Sequence, residues 1–159
     1  MPERRKILLL DIAGHRYGVP SEDVREVLRA VTVVPLPRAP GIVLGVINLR
    51  GSVVPVLDVR TRFRLPTREI RESDHFVVAS AGGRTVAVSV DRALDLTEVN
   101  PAAVEDPARA VPGAEYVAGI AKLPDGLVLI HDLRSFLSQA ESEQLSQALS
   151  EVPAETEKQ

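Results

Sequence analysis

Histidine and carboxylate side chains are the first candidates for chemistry in this sequence. The three histidines, His15, His75 and His131, are far apart in the chain, whereas local metal sites place their ligands a few residues apart. Asp58 and Asp132 could form a symmetry-related carboxylate pair, as in a duplicated aspartic protease. Each is followed by an apolar residue and an arginine instead of a small Thr/Ser-Gly, so N-capping of a short helix explains them better.

The motifs of the common enzyme classes are absent. The 159-residue sequence has no G-x-S-x-G elbow, no G-x-G-x-x-G loop and no Walker loop. It also has no cysteine, which excludes disulfides, thiol nucleophiles and thiolate metal sites. We therefore expect no catalytic residue, no metal site and no cofactor, and we interpret the chain as a binding module, not an enzyme.

Charge and hydropathy exclude two further classes of protein. The formal net charge is −3, whereas nucleic-acid binders usually have a net positive charge or a surface stripe of lysines and arginines. The apolar run at residues 7–10 stops at Asp11, which is too short for a signal peptide, and no window approaches a membrane-spanning length. We expect no nucleic-acid partner, no membrane insertion and, by default, a cytoplasmic protein.

The hydrophobic residues are of a kind that favours β-strands. The sequence contains 23 valines against five aromatic residues, and valine packs better on a pleated sheet than in a helix. Twelve prolines and ten glycines separate the apolar runs, as expected for many short strands. Apolar runs flank short turns in four places and predict β-hairpins at residues 7–19, 45–57, 76–90 and 118–130.

The two halves of the chain repeat one pattern. Residues 7–19 align with residues 76–88, and residues 45–61 align without a gap with residues 119–135. Five short strands per half are enough to close a small barrel. We therefore predict a mainly β protein with two small five-stranded barrel subdomains packed together. The alternative is one β-sandwich whose halves are similar by coincidence.

The ends of these subdomains can be placed only approximately. We predict subdomains at roughly 14–73 and 74–132, with terminal segments that may pack across, and an irregular stretch over 100–112. A capping box at Ser138 and Glu141 begins a C-terminal helix at 138–152. We expect its apolar stripe, which comprises Leu145, Leu149 and Val152, to pack on the chain's own barrels. Residues 153–159 are polar and are expected to fray.

The remaining features indicate interaction with a partner. Arg50 precedes Gly51 at the tip of the second hairpin, and arginine is the side chain best suited to bidentate recognition of polar groups. A groove between the two subdomains could accept a partner helix through apolar anchors. The alternatives are that Arg50 is simply solvated and that the apolar residues only hold the two halves together.

The run Gly45-Val46-Ile47-Asn48-Leu49-Arg50-Gly51, which continues to Arg60, resembles the CheW family of bacterial chemosensory coupling proteins. The resemblance extends over about residues 6–150 and is most specific in the run from Gly45 to Arg60. Further matching motifs in the first half are Tyr17-Gly18-Val19, Val24-x-Glu26-Val27 and Pro37–Pro40. Those in the second half are Gly82-x-Arg84, Val86–Asp91, Leu94-Asp95-Leu96 and Tyr116-x-x-Gly119.

The resemblance implies two SH3-like barrels around a shared apolar core, forming a non-catalytic adaptor. Such an adaptor couples the cytoplasmic tip of a methyl-accepting chemoreceptor to the regulatory domain of a CheA-type histidine kinase, in arrays at the inner membrane or with soluble receptors. The positions that match receptor or kinase contacts are Arg50, Glu26, Val24, Gly45 and Leu96. Candidates for a kinase interface at the barrel ends are Ile42, Val43, Leu44, Val31 and Val33.

Two alternatives to this adaptor role remain open. A CheW-like paralogue or decoy scaffold would bind the receptor without activating the kinase. A small ligand sensor or enzyme would use the groove between the barrels, with Asp58, Asp132 and the histidines as its polar groups. His75 and His131 also occupy strand positions that are usually aliphatic in the family.

Overall fold

A computed structural model describes residues 5–100, 104–105, 117–124 and 126–152. The strands are β1 (Arg5–Ile12), β2 (His15–Pro20), β3 (Val24–Arg29), β4 (Val43–Leu49), β5 (Ser52–Asp58), β6 (His75–Ala81), β7 (Arg84–Val90), β8 (Arg92–Val99), β9 (Val104–Glu105), β10 (Val117–Leu123) and β11 (Gly126–His131). The α-helices are α1 (Val59–Arg62) and α2 (Gln139–Ser150), and 3-10 turns lie at Ser21–Asp23 and Leu133–Ser135.

The strands form two sheets, which confirms the predicted mainly β fold with two SH3-like barrels. One sheet has the order β3-β6-β7-β5-β4 and the other has the order β8-β1-β2-β11-β10-β9. We call them barrel 1 and barrel 2. In barrel 1, the chain that leaves β3 returns to β4 through a bridge between Val34 and Val46. In barrel 2, β9 follows β8 in sequence and pairs with β10. Each sheet thus curls back on itself.

The two barrels do not follow the predicted subdomain boundaries at 14–73 and 74–132. The hairpin β1–β2 lies in barrel 2, and the hairpin β6–β7 lies in barrel 1. Parallel pairing produces this exchange, since β7 runs beside β5 with Ala87 opposite Val56, and β2 runs beside β11 with Gly18 opposite Ile130. Each barrel therefore takes its central hairpin from the other half of the chain. The sequence could not reveal this, because both hairpins have the same apolar pattern.

The internal duplication is visible in the register of the strands. β-Bulges lie between Val43 and Gly45 in β4 and between Val117 and Gly119 in β10, which are equivalent positions. The carboxylates of Asp58 and Asp132 cap the next helical turn in the same way, accepting hydrogen bonds from Arg60 N at 3.0 Å and Arg134 N at 3.2 Å. N-capping is therefore the role of these two aspartates.

The largest apolar cluster joins the two barrels. It contains Leu8, Leu10 and Tyr17 from barrel 2 together with buried residues of β5, β6 and β7 from barrel 1. Separate smaller clusters fill each barrel, one around Phe76 and Val78 and the other around Val128 and Ile130. Burial of apolar surface is the main favourable contribution to folding, so the shared cluster makes the two barrels one packed unit.

Helix α2 contacts both halves of the chain, and Arg84 of β7 donates a hydrogen bond to Ser146 in the helix. Its stripe buries Leu145 and Ala148, with Leu149 and Val152 partly buried. Arg62 forms an ion pair with Glu141 at 2.8 Å, and Gln144 donates to the Arg38 carbonyl at 2.9 Å. The capping box at Ser138 and Glu141 is present as predicted. The irregular stretch predicted at 100–112, except for residues 100 and 104–105, and the frayed tail predicted at 153–159 lie outside the described residues.

His131 is fully buried at the end of β11, within an aromatic cluster. Its ring lies 4.8 Å from that of Tyr17, 4.9 Å from that of Phe63 and 5.2 Å from that of Phe136, measured between ring centroids. Neither ring nitrogen has a hydrogen-bond partner in the described part of the chain. Burial therefore lowers the pKa of His131 to about 3. In the duplicated half, the equivalent residue is Leu57, which is equally buried.

We expect the His131→Leu variant to lose less stability in acid than the wild type. The folded-state pKa lies below the unfolded one, so the unfolded chain binds the proton first and stability falls as the pH drops from about 6.5 towards 3. Between pH 7 and pH 5, the wild type should lose about 2 kcal/mol more than the variant. Urea denaturation at the two pH values measures this. His15→Gln, at an exposed histidine, is the control, and equal pH dependence in wild type and His131→Leu would contradict the expectation.

Candidate functional site

An ion pair between Arg50 and Glu26 lies on the surface of barrel 1. The two guanidinium Nη atoms donate to the two carboxylate oxygens of Glu26, with Nη1 at 3.3 Å from Oε1 and Nη2 in closer contact with Oε2. The hydrogen bonds from Arg50 lower the pKa of Glu26 below its ordinary value. Glu26 is on β3 and Arg50 is at the β4–β5 turn, so the pair joins the two outer strands of the sheet.

The turn that carries Arg50 has a left-handed backbone. Arg50 has φ +51° and is followed by Gly51 with φ +89°. The Asn48 carboxamide accepts a hydrogen bond from Gly51 N at 2.8 Å, which fixes the turn. Ala13 in the β1–β2 turn and Gly82 in the β6–β7 turn also have positive φ. This conformation is the one that a two-residue hairpin turn requires, and it places Arg50 at the tip of its hairpin.

A groove of about 710 Å³ opens beside the ion pair. Its apolar lining includes Leu49, Val54 and Val78, and its polar lining includes Arg25, Glu26, Arg50 and Thr85. Charged and polar groups therefore provide more of the accessible lining of this groove than apolar ones. Such a surface can contact polar groups of a partner and accept an apolar side chain beside them.

The other predicted contact residues differ in their exposure. Leu96 on β8 is 60% exposed and presents a large apolar side chain to solvent. Val24 is partly buried and packs against the shared apolar cluster. Val27, which sequence reasoning did not select, is 41% exposed. Its position in the duplication is equivalent to that of Leu96, and this equivalence could have identified it.

Gly45 is buried at the place where barrel 1 closes. A Cβ atom there would lie 2.4 Å from the Val34 carbonyl oxygen and 2.7 Å from Val33 Cγ1, and the residue has φ +152°. The close approach lets Val34 and Val46 exchange backbone hydrogen bonds of 2.9 and 2.8 Å that close barrel 1. Gly45 therefore offers no exposed side chain for the predicted contact with a partner.

A second groove, of about 1170 Å³, lies at the end of barrel 1. The predicted residues Val31, Val33 and Leu44 line it, and Val31 is 48% exposed. Val43 is partly buried. Ile42 is 1% exposed and belongs to the shared apolar cluster. Its burial does not support the prediction that Ile42 lies in a kinase interface. Val34, which lies in the same predicted stretch 31–34, is 46% exposed.

The loop at residues 67–72 lines this second groove and is held by ion pairs of Arg68. Arg68 contacts both carboxylate oxygens of Asp74 at 2.8 Å and one oxygen of Asp91 at 2.9 Å, and Arg60 pairs with the same Asp91. Burial acts to raise the pKa of Asp74, but hydrogen bonds from Arg68 and the Arg71 amide outweigh it and lower that pKa. Asp91 also accepts from Ala13 N at 3.1 Å, which connects barrel 1 to the β1–β2 turn.

The residues considered for enzymatic chemistry are not brought together. His15 is exposed, His75 Nδ1 accepts a hydrogen bond from Ala93 N at 2.9 Å, and His131 lies in the aromatic cluster. Among the residues with described positions, no group of three or more histidines, aspartates or glutamates has the geometry to hold a metal ion. The described helices also include none that is long and apolar enough to span a bilayer.

Comparison with known proteins gives a consistent result. A family profile described as CheW-like domain matches residues 6–141, which is most of the chain. The chain belongs to the CheW-like family. The match ends within helix α2, and the described residues 142–152 lie beyond it. The family assignment confirms the resemblance predicted from the run Gly45–Arg60.

Individual relatives cover nearly the whole domain. A chemotaxis protein CheW of Treponema pallidum is 24% identical over 91% of this chain and 88% of its own length. The crystal structure of a CheW scaffolding protein from Thermoanaerobacter tengcongensis superposes with a TM-score of 0.80 at 26% identity, covering 87% of this chain and 96% of that one. A chemotaxis protein CheA of Cereibacter sphaeroides is 32% identical over 77% of this chain and 18% of its own length. That relative therefore contains a CheW-like region within a much longer protein.

We expect Gly45→Ala to destabilise the fold, because the added methyl group would collide with the Val34 carbonyl that closes barrel 1. The expected loss in the free energy of unfolding is about 2–4 kcal/mol, measured by urea denaturation. Gly41→Ala is the matched control, since nothing lies within 4 Å of a Cβ placed there. A similarly small effect of both substitutions would show that the barrel closure tolerates a side chain at position 45.

Proposed function

We propose that this protein is a non-catalytic adaptor that couples chemoreceptor tips to a CheA-type histidine kinase on the cytoplasmic side of the membrane. The observation that carries the proposal is the match of a CheW-like domain to residues 6–141, and the Arg50–Glu26 ion pair on the surface of barrel 1 supports it. A similar scaffolding protein and the CheW-like region within a CheA protein support it.

We propose different contact surfaces for the two partners. The side of the molecule that carries Arg50, Glu26 and Leu96 receives the helical tip of the receptor, because Leu96 exposes an apolar side chain and the Arg50–Glu26 pair supplies charged groups. The end of barrel 1 at Val31, Val33 and Leu44 receives the regulatory domain of the kinase. A relative named as a chemotaxis protein CheA contains a CheW-like region, which supports an arrangement in which two similar barrels meet end to end.

Isothermal titration calorimetry with each partner separately tests the adaptor role. Binding to both the kinase regulatory domain and a receptor-tip fragment is the expected result. Binding to the receptor fragment alone would instead support a decoy scaffold. Binding to neither by a folded sample would overturn the proposal and favour a ligand sensor.

We expect Arg50→Asp to weaken partner binding by about tenfold or more, because it places a carboxylate beside Glu26 and removes the guanidinium. The melting temperature should stay nearly unchanged, since the side chains of Arg50 and Glu26 are largely exposed. Arg50→Asn is the matched variant, because asparagine tolerates the positive φ of the turn and carries no charge. Calorimetry and thermal denaturation measure the two effects. A large fall in melting temperature for both variants would instead assign Arg50 a structural role.

A further inference from the structure

The strands β3 and β8 are equivalent in the internal duplication but differ in charge. Val27 lies opposite Val77 and Leu96 lies opposite Leu8, and an offset of 69 residues relates both members of these pairs. Residues 24–29 therefore correspond one to one with residues 93–98. The first segment contains two arginines and one glutamate, Glu26, whereas the second contains two acids and no base.

Each of these strands presents an apolar side chain between charged ones. On β3, the exposed residues are Arg25, Val27 and Arg29, which we call the basic edge. On β8, they are Arg92 at the start of the strand, followed by Asp95, Leu96 and Glu98, and we call these last three residues the acidic edge. Val27 and Leu96 are 41% and 60% exposed and belong to the small set of exposed large apolar residues in the described chain. Arg29 and Glu98 occupy equivalent positions with opposite charges.

The two edges border the junction between the barrels. At one end, His75 lies opposite Arg29 and accepts a hydrogen bond from Ala93 at the start of β8. At the other end, Arg5 lies opposite Val99 at the end of β8 and pairs with Glu22, just before β3, at 3.7 Å. The end of β3 is therefore near the start of β8, and its start is near the end of β8. The basic and acidic edges run in opposite directions on the two sides of this junction.

We propose that the two edges fix the direction in which a partner helix lies on the protein. This inference rests on the proposed function, in which the partner is the helical tip of a receptor. The occupant is a helix whose apolar stripe contacts Val27 and Leu96. Its carboxylates face the basic edge, and its lysines or arginines face the acidic edge, because opposite potentials across an interface favour association.

Pseudo-symmetry explains why the charges are needed for direction. The duplication gives the apolar residues Val27 and Leu96 an approximate two-fold relation, so these two side chains alone would accept a helix in either direction. Reversing the helix exchanges its two flanks. With charged edges, the reversed helix would place like charges together, and like-charge contacts disfavour the wrong arrangement. The charge difference between equivalent strands thus selects one direction.

Charge reversal at each edge tests the proposal in the full-length protein. The variants are Arg25→Glu with Arg29→Glu on the basic edge, and Asp95→Lys with Glu98→Lys on the acidic edge. Each pair should weaken binding of a receptor-tip fragment by about tenfold at low salt, with a smaller effect at high salt. Within the acidic edge, Asp95 should contribute more than Glu98, because Lys6 of β1 lies opposite Glu98.

Control variants place one charge reversal of each sign outside the two edges. Lys122→Glu alters an exposed cation of β10, and Glu143→Lys alters an exposed acid of helix α2. Each control should leave the affinity within about twofold of the wild type. Edge variants that weaken binding no more than these controls would overturn the inference while the proposed function stands. Failure of the wild type to bind the receptor fragment would overturn the proposed function and this inference with it.

Direction itself can be measured, because the chain contains no cysteine. A single spin label at Ser21→Cys, before β3, or at Thr32→Cys, after β3, should broaden NMR signals at opposite ends of the receptor fragment. In a variant that reverses all four edge charges, the two labels should exchange the ends that they broaden. Broadening of both ends by each label in the wild type, or no exchange in the four-charge variant, would contradict the inference.

Discussion

Parallel pairing between the two halves of the chain is the constraint on which the structure depends. β7 lies beside β5, and β2 lies beside β11, so neither sheet is complete without a hairpin from the other half. The shared apolar cluster and the contacts of Asp91 with Arg60, Arg68 and Ala13 then hold the barrels in one arrangement. The edges of β3 and β8 border the same junction because this arrangement is fixed.

Much of the fold could be predicted from local patterns. Valine-rich runs on both sides of glycine turns correctly predicted the hairpins, and the ungapped match of residues 45–61 with 119–135 correctly predicted two similar barrels. The aspartates that begin the two short helical turns were also predicted as N-caps. The pairing of hairpins across the halves was not predictable, because strand partners far apart in sequence leave no local signal.

The candidate site was predictable to a smaller extent. Arg50 was identified from its position beside Gly51, but its ion pair with Glu26 depends on two strands that only the folded sheet brings together. Ile42 was a candidate for the kinase interface because it lies in a short turn at a barrel end, yet its side chain is buried in the shared apolar cluster. The roles of Gly45 and Arg68 depend on contacts with Val34 and with Asp74 and Asp91, which no sequence motif indicates.

The exchange of hairpins has a consequence for synthesis of the protein. The hairpin β1–β2 is made before its partners β8 and β11, which follow about 70 to 125 residues later. Barrel 2 can therefore form only after β11 has been made. Until then, the apolar side chains of β1 are not buried in a barrel core. Exposed, unpaired strands of this kind are prone to aggregate with other unfolded chains. Barrel 1 can assemble once β7 has been made, because all of its strands are then present. It then provides the apolar surface onto which the hairpin β1–β2 packs.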